Sequence, residues 1–348
     1  MAENQGNVRD LTADEGFKLG SFLKSWEMVL VYILIVVNIT LMAVRPDLYF
    51  TSGTLQSIIQ SGMDVSPLVL GMVLVLMLGD IDVSCASVMI FASMCTGLSM
   101  DQGIPMIPSV IIGLLGGVFC GFINGLLVAY VGMPAVIVTI ASSMLFRGIV
   151  EIILNVNSLK NFPAFYVNIS WDNLGGVFPL SLLIFLIMGA FFVYLLQKSR
   201  FGRKLYIIGN NATCGQYSGI DVKKTKLIVF MIMGLMSGIA SIFFVGRMGG
   251  SVSSSMGTGY EMNAIATCVL GGVSTNGGKG KVYGPIIATL IMAFLTYTLG
   301  LMNIDANIRK IVTGIVLIIA ILISNFRDAS DARKKSLAAA SVRTQEAK

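Results

Sequence analysis

Residues 105–130 read PMIPSVIIGLLGGVFCGFINGLLVAY, and none of these 26 positions carries a charged side chain. A helix needs about 20 predominantly apolar residues to cross the roughly 30 Å of hydrocarbon in a lipid bilayer. A run of this length and composition is typical of a membrane-spanning helix. We therefore predict a span over Pro105–Tyr130.

The composition of the whole chain supports the same class. Of 348 residues, 55% are hydrophobic and 12% are charged, whereas a soluble domain carries about 25% charged residues. The mean hydropathy is +0.84. These charges are too few to form the polar shell of a soluble protein of this size, so the sequence predicts an all-α integral membrane protein.

The apolar runs predict about ten transmembrane helices. Two of the runs, Val65–Gly79 and Tyr260–Leu270, are short for a full crossing, and we expect broken or re-entrant segments there. The predicted spans are Glu27–Val44, Val65–Gly79, Ser84–Met100, Pro105–Tyr130, Ala135–Leu154, Phe178–Leu196, Leu227–Val245, Tyr260–Leu270, Gly284–Leu301 and Ile308–Ser324.

The positions of lysine and arginine predict the orientation. Seven of the 24 basic residues lie between Lys198 and Lys226, and six follow Phe326. Cytoplasmic loops carry an excess of these residues, so we expect both termini to be cytoplasmic. The net charge of +6 is explained by these segments and does not indicate a nucleic-acid partner.

This orientation divides the chain into three parts. A cytoplasmic tail (1–26) precedes a membrane domain (27–325), and a second cytoplasmic tail follows it (326–348). Within the membrane domain, residues 197–226 form the longest internal loop and residues 155–177 the longest external loop.

One face of the Pro105–Tyr130 span has a glycine at every fourth position. Small residues at this spacing allow a second helix backbone to approach closely inside a membrane. We assign these positions to helix packing, and they give no information about a substrate. They are Gly113, Gly117, Gly121 and Gly125.

The stretch LGGVSTNGGKGKVYG (Leu270–Gly284) combines glycine with lysine, as phosphate-binding loops do. A Walker loop requires G-x-x-x-x-G-K-[ST] after a strand. Here the spacing is one residue too long, no hydroxyl follows Lys279, and an apolar membrane segment precedes the loop. We therefore predict a tight non-helical turn in which glycine permits positive φ.

Enzymatic and metal chemistry have little support in the sequence. The chain has no histidine, and its five cysteines show no CxxC spacing, so neither a Ser-His pair nor a zinc site can be assembled in the usual way. A weak internal repeat is visible between LGDIDVS, which begins at Leu78, and LGGVS, which begins at Leu270. Paired interrupted segments of this kind are found at transport sites, although two short matches can also arise by chance.

Polar residues within the membrane domain are candidates for a translocation pathway, because a charge at membrane depth costs about 3 kcal/mol and usually faces a cavity or a partner. For Asp80 and Asp82 the alternative is capping or turn formation at a helix end. For Arg147 the alternative is an ion pair with Glu151 at i, i+4. The candidates are Asp80, Asp82, Ser84, Asn124, Arg147 and Glu261.

Four stretches of the chain match motifs of one known family. They are GDIDVSCASVM (Gly79–Met89), similar to G-G-I-D-L-S-x-G-S; VTIASSMLFRGI (Val138–Ile149), similar to T-L-x-x-x-x-x-x-R-G; GRKLYIIGNNATCGQYSGIDVKKTK (Gly202–Lys226), similar to G-R-x-x-x-A-x-G-x-N-x-x-A-A-x-x-S-G-I-x-V; and LGGVSTNGGKGKVYGPIIATLI (Leu270–Ile291), similar to L-G-G-x-S-x-x-G-G-x-G-x-x-x-G. Together they resemble the permease subunits of bacterial ATP-binding-cassette importers, in the ribose-type branch that carries monosaccharides.

The resemblance implies a bacterial inner-membrane protein that pairs with a second permease, identical or related. It also implies a cytoplasmic ATPase that holds ATP and Mg²⁺, so that this chain needs no cofactor, and a periplasmic protein that delivers the sugar. The internal loop would then contain a helix that docks on the ATPase. The residues assigned to this coupling are Asn211, Gln216, Tyr217, Ser218, Gly219 and Ile220.

Two features keep alternatives open. Asp80 stands where the family has glycine, and Thr213, Cys214 and Gly215 replace an acid and two alanines, so substrate preference does not transfer directly. From its composition alone the basic loop could equally lie against anionic lipid. The alternative function is an ion-coupled secondary transporter without an ATPase, for which Asp80, Asp82 and Glu261 are the candidate ion ligands.

Overall fold

The computed structural model describes residues 26–44, 52–155, 157–160, 162–174 and 178–302, together with position 46 and scattered positions between 304 and 322. The N-terminal tail before residue 26, the C-terminal tail (326–348) and most of the predicted span Ile308–Ser324 lie outside the described residues.

Helices dominate the described part of the chain, and the only strands in it form an antiparallel pair of two residues each between positions 173 and 179. The helices are α1 (Trp26–Val44), α2 (Ser52–Met63), α3 (Ser66–Met77), α4 (Cys85–Asp101), α5 (Met106–Leu126), α6 (Ala135–Leu154), α7 (Ala164–Asn168), α8 (Leu180–Gln197), α9 (Arg200–Asn210), α10 (Ala212–Tyr217), α11 (Val222–Arg247), α12 (Tyr260–Leu270) and α13 (Tyr283–Leu301). A π-helical turn, Leu127–Val131, extends α5, and β1 (Asn173–Leu174) pairs with β2 (Phe178–Pro179).

Five of the described helices are long and apolar enough to cross a membrane, namely α5 with its π-helical turn, α6, α8, α11 and α13. A sixth span is formed if α2 and α3, which meet at a 42° bend, are counted together. The helix is interrupted just before Ser66, where the sequence predicts a broken or re-entrant segment. The protein is thus a multi-pass helical membrane protein, and the count of about ten spans stays a prediction.

Loops that are distant in the sequence meet at two ends of the helical bundle. At one end, which we call the basic end, the segment 198–221 packs on the loop 271–282, and Lys226 reaches Asp80. At the opposite end, which we call the far end, Leu159 pairs with Val252 and Arg247 reaches Asp64.

Helix α11 lies at the centre of the bundle, where it contacts α3, α4 and α5. Of its most apolar window, 67% is buried inside the protein, whereas the corresponding share is 28% for α5, α6 and α8. These three outer helices carry large exposed apolar side chains, such as Ile107, Met144 and Ile187. That exposure suits contact with lipid or with another membrane protein.

The glycine face of α5 packs against α11 over most of its length. A methyl group at Gly117 would lie 2.5 Å from the carbonyl oxygen of Gly234, and one at Gly121 would collide with the carbonyl oxygen of Phe230. Gly125 faces Leu227 in the same interface. The fourth glycine of the stripe, Gly113, faces Ala92 and Thr96 of α4 instead.

We predict that Gly121→Ala destabilises the protein by about 1–3 kcal/mol, because overpacking forces backbone shifts of this cost. Gly148→Ala is the matched control, since a methyl group there meets nothing within 4 Å and alanine is favoured over glycine in a helix by about 1 kcal/mol. Thermal unfolding in detergent should show a lower midpoint for Gly121→Ala alone. Equal midpoints for the two variants would contradict the close packing.

Candidate functional site

The segment at the basic end is more structured than its loop-like sequence indicates. The sequence predicts one short helix between Gly209 and Gly219, and α10 forms there. The structure adds α9, which the sequence did not reveal. Ser199 begins α9 by accepting a hydrogen bond from the Gly202 amide at 3.1 Å, a typical N-cap.

Helix α10 is bounded by residues assigned to coupling. Asn211 caps its start by accepting a hydrogen bond from the Cys214 amide at 3.0 Å. After the last turn Gly219 adopts φ +77°, and the Ile220 amide donates to the Gly215 carbonyl at 3.1 Å, as in a glycine-terminated helix end. The side chain of Tyr217 is 90% exposed.

The remaining coupling candidates lie on the same short helix and its end. Ser218 donates its hydroxyl hydrogen bond to the Cys214 carbonyl at 2.9 Å. Gln216 lines a groove at the basic end. Gly215 is buried against Ile207 and Ile208. A methyl group there would make only ordinary van der Waals contacts with them, so the packing of α10 on α9 does not require glycine at this position.

The glycine-rich segment 271–282 packs against α9. Four of its glycines have positive φ (Gly272, Gly277, Gly278 and Gly280), which agrees with the predicted non-helical turn. Gly209 of α9 lies directly against Gly278 and the Met77 carbonyl, where a methyl group could not fit.

A tyrosine of α9 adds a polar contact to this support. The Tyr206 hydroxyl donates to the Gly280 carbonyl at 2.6 Å. Burial raises the pKa of the Tyr206 phenol, so the group keeps its proton and its donor role at neutral pH. Gly79, which follows α3, lies against Asn276 and Gly277 of this same turn. The weak internal repeat stays a prediction.

Asp80 is held by an ion pair at the basic end. Its carboxylate accepts from the Lys226 ammonium at 2.7 Å, and both side chains are largely buried. The two residues line a groove of about 680 Å³ together with Pro134, Gln216 and Lys223. Because this groove lies between the α5–α6 connection and α10, its shape depends on the position of α10.

Three of the predicted pathway residues form one buried network beside this groove. The Asp82 carboxylate accepts from the Ser84 amide at 2.7 Å and from the Ser84 hydroxyl at 2.6 Å. Asn124 of α5 donates to the Ser84 oxygen at 2.8 Å. The network ties the α3–α4 loop to α5.

The other two candidates lie apart from that network. Arg147 donates to the carbonyl oxygens of Ser254 and Met256 at 2.6 and 3.0 Å. Among the described residues it forms no ion pair with Glu151. The expected Arg147–Glu151 pair is therefore wrong, because the Arg147 guanidinium binds the two loop carbonyls instead. Glu261 accepts from the Gly259 amide at 3.2 Å at the start of α12, as a capping residue would.

The far end contains a charged cluster that the sequence did not assign to a site. Arg247, the last residue of α11, donates to the Asp64 carboxylate at 2.6 Å, and the Tyr260 hydroxyl donates to the same oxygen at 2.6 Å. The Asp64 side chain is fully buried. Asp64 lies at the bend between α2 and α3, so the cluster fixes that bend to the end of α11.

Comparison with known proteins identifies related chains. Residues 54–321 match a family model described as branched-chain amino acid transport system / permease component. The D-allose transport system permease protein AlsC of Escherichia coli K12 is 30% identical over 83% of this chain and 89% of its own length.

Two further relatives are named for a different solute. The autoinducer 2 import system permease protein LsrC of Escherichia coli SMS-3-5 is 31% identical over 80% of this chain and 81% of its own length. The protein of the same name from Yersinia pestis Pestoides F is 30% identical over 78% and 76%. No solved structure matches the chain.

We predict that Asp80→Asn or Lys226→Met lowers stability by about 1 kcal/mol, the upper range for a partly exposed ion pair. The exchanged variant, Asp80→Lys with Lys226→Asp, should recover most of that loss because the attraction is restored. Lys223→Met is the control, since Lys223 lines the same groove and has no ion-pair partner among the described residues. Thermal midpoints in detergent measure all four proteins, and failure of the exchange to recover stability would argue against the pair.

Proposed function

The chain belongs to this family of transport-system permease components, and from that membership we propose that it is the membrane subunit of an ATP-driven importer for a monosaccharide or a related small polar solute. The observation that carries the proposal is the extent of the match, residues 54–321, which includes every described helix from α3 to α13. The chain is accordingly a transport subunit and not an enzyme.

The substrate class rests on the relatives. The family description names branched-chain amino acids, whereas AlsC is named for D-allose and LsrC for autoinducer 2. We give more weight to the relatives, because each is an individual protein that is named for one solute. A sugar or a similarly small polar solute is therefore the substrate that we propose.

A separate cytoplasmic ATPase would dock on α10. Tyr217 presents an almost fully exposed aromatic ring at the basic end, and buried aromatic anchors commonly dominate binding energy once a partner covers them. The surrounding segment carries the lysines and arginines that the positive-inside rule places in the cytoplasm. In this proposal ATP and Mg²⁺ are bound by the ATPase, and this chain binds no cofactor.

Motion of α10 would travel along α11. Asp221 caps α11 four residues after Tyr217, with its carboxylate accepting from the Lys224 amide at 2.9 Å. From there α11 continues for 26 residues, about 39 Å at 1.5 Å per residue, to Arg247 at the far end. A displacement applied at the basic end can thus reach the far end through one helix.

The remaining assignments follow the same proposal. A second permease would face the outer helices, a periplasmic binding protein would meet the far end, and the protein would lie in the bacterial inner membrane surrounded by lipid. Asp82, Ser84 and Asn124 would line the route beside the basic end, with Asp80, Arg147 and Glu261 holding its loops in place.

Reconstitution tests the function directly. Proteoliposomes that contain the copurified permease and ATPase, supplied with the binding protein, should accumulate a labelled monosaccharide only when ATP is present. The permease alone, under an imposed proton or sodium gradient, should accumulate none. Uptake by the permease alone under such a gradient would favour ion coupling and overturn the proposal.

We predict that Tyr217→Ala weakens association with the ATPase about 30-fold, as expected for loss of an aromatic anchor worth about 2 kcal/mol. Phe165→Ala is the control, because Phe165 is also an exposed aromatic residue but lies in α7, within the external loop. Copurification of the ATPase with each variant gives the comparison. Equal recovery with both variants would remove α10 from the docking surface.

A further inference from the structure

Two adjoining cavities open at the far end between α2, α12, α13 and the end of α11. The outer cavity has a volume of about 340 Å³, and the inner one about 120 Å³. Ser61, Arg247 and Thr296 line both cavities, so the two form one stepped chamber, which we call the far-end chamber. It lies among helices of a single subunit.

Polar side chains line part of the far-end chamber. Gln60 is 4% exposed, and its amide nitrogen donates to the Ser170 carbonyl at 2.6 Å, but its oxygen Oε1 has no partner among the described residues. Asn263 and Thr296 also line the chamber, and their polar side chains can pair with the hydroxyl groups of a ligand.

The charge in the chamber is already balanced. The Arg247 guanidinium faces it, but its charge is compensated by the fully buried Asp64 carboxylate. An ionic ligand would have to compete with this pair, whereas a neutral ligand with hydroxyl groups can use the remaining donors without disturbing it. The ring of Trp171, which lines the outer cavity, offers an apolar surface for the C–H face of such a molecule.

We propose that the far-end chamber binds one molecule of a neutral polyhydroxylated solute, of the aldose class, in each subunit. The volume of the outer cavity falls at the lower end of the range for small-molecule sites, about 300–1,000 Å³. The inner cavity holds only a few water molecules at about 30 Å³ each. The ligand class deepens the proposed function and rests on it, whereas the location within one subunit rests on the geometry above.

Position 296 gives a direct test by labelling. Cys214 is the exposed native cysteine among the described residues, so Thr296→Cys is prepared in a Cys214→Ser background. A membrane-impermeant maleimide, applied to the side opposite residue 214, should label this variant. Thr298→Cys is the control, because Thr298 is buried, donates to the Phe294 carbonyl and does not line the chamber. It should remain unlabelled.

The probes are D-allose and D-ribose at millimolar concentration, with L-leucine as the competing class. We expect one of the sugars to slow labelling of Thr296→Cys at least severalfold and L-leucine to have no effect. Protection by L-leucine alone, or equal labelling with and without either sugar, would overturn the proposal.

Transport by the complete importer separates this proposal from the function itself. Thr296→Val should raise the half-saturating concentration of the transported sugar about fivefold, the loss expected for one neutral hydrogen bond, while Thr298→Val and ATPase copurification stay at wild-type values. If the wild-type importer takes up neither sugar, the proposed function fails. If it takes up a sugar and Thr296→Val transports it with unchanged half-saturation, the far-end chamber alone is refuted.

Discussion

The close contact between the backbones of α5 and α11 is the constraint on which the rest of the bundle depends. Apolar side chains gain little by leaving lipid for protein, so helices in a membrane must associate through close packing and polar contacts. Gly117 and Gly234 meet with no room for a methyl group on either side. This contact places α11 at the centre of the bundle. The two ion pairs of the described residues then lie at the two ends of α11.

An ion pair holds each end of α11 to the chain that flanks α3. Lys226 in the first turn pairs with Asp80, just after α3, and Arg247 in the last turn pairs with Asp64, just before α3. The two helices are thereby joined at the basic end and at the far end. Because α10 precedes α11 directly, a force on α10 acts on this joined pair of helices and not on a flexible loop.

Much of the helical framework could be predicted from the sequence. The bounds of α6 and α12 agree with the apolar runs, and those of α4, α8 and α13 agree within two residues. The Gly121 contact also follows from the spacing of the glycines. Hydrophobic runs and four-residue spacing depend only on nearby residues, so the helices and contacts that they predict are found in the structure.

The two ion pairs could not be predicted, because they join distant parts of the chain. Lys226 and Asp80 are 146 positions apart, and Arg247 and Asp64 are 183 apart. The local prediction for Arg147 failed for the same reason, since carbonyls more than 100 positions away replace the neighbouring Glu151. Helix α9 was missed because its apolar face is short and its basic residues indicate a solvated loop.

The central claim is that α11 moves as a rigid unit between the two ends, and a distance measurement tests it most directly. Spin labels at Lys223 near the start of α11 and at Met248, the residue that directly follows its last turn, report on the length of this helix within one subunit of the assembled importer. With and without a non-hydrolysable ATP analogue, we expect the distance within the subunit to stay constant while the distance between the Lys223 labels of a pair of subunits changes. A nucleotide-dependent change within the subunit would mean that α11 bends, and would contradict the account.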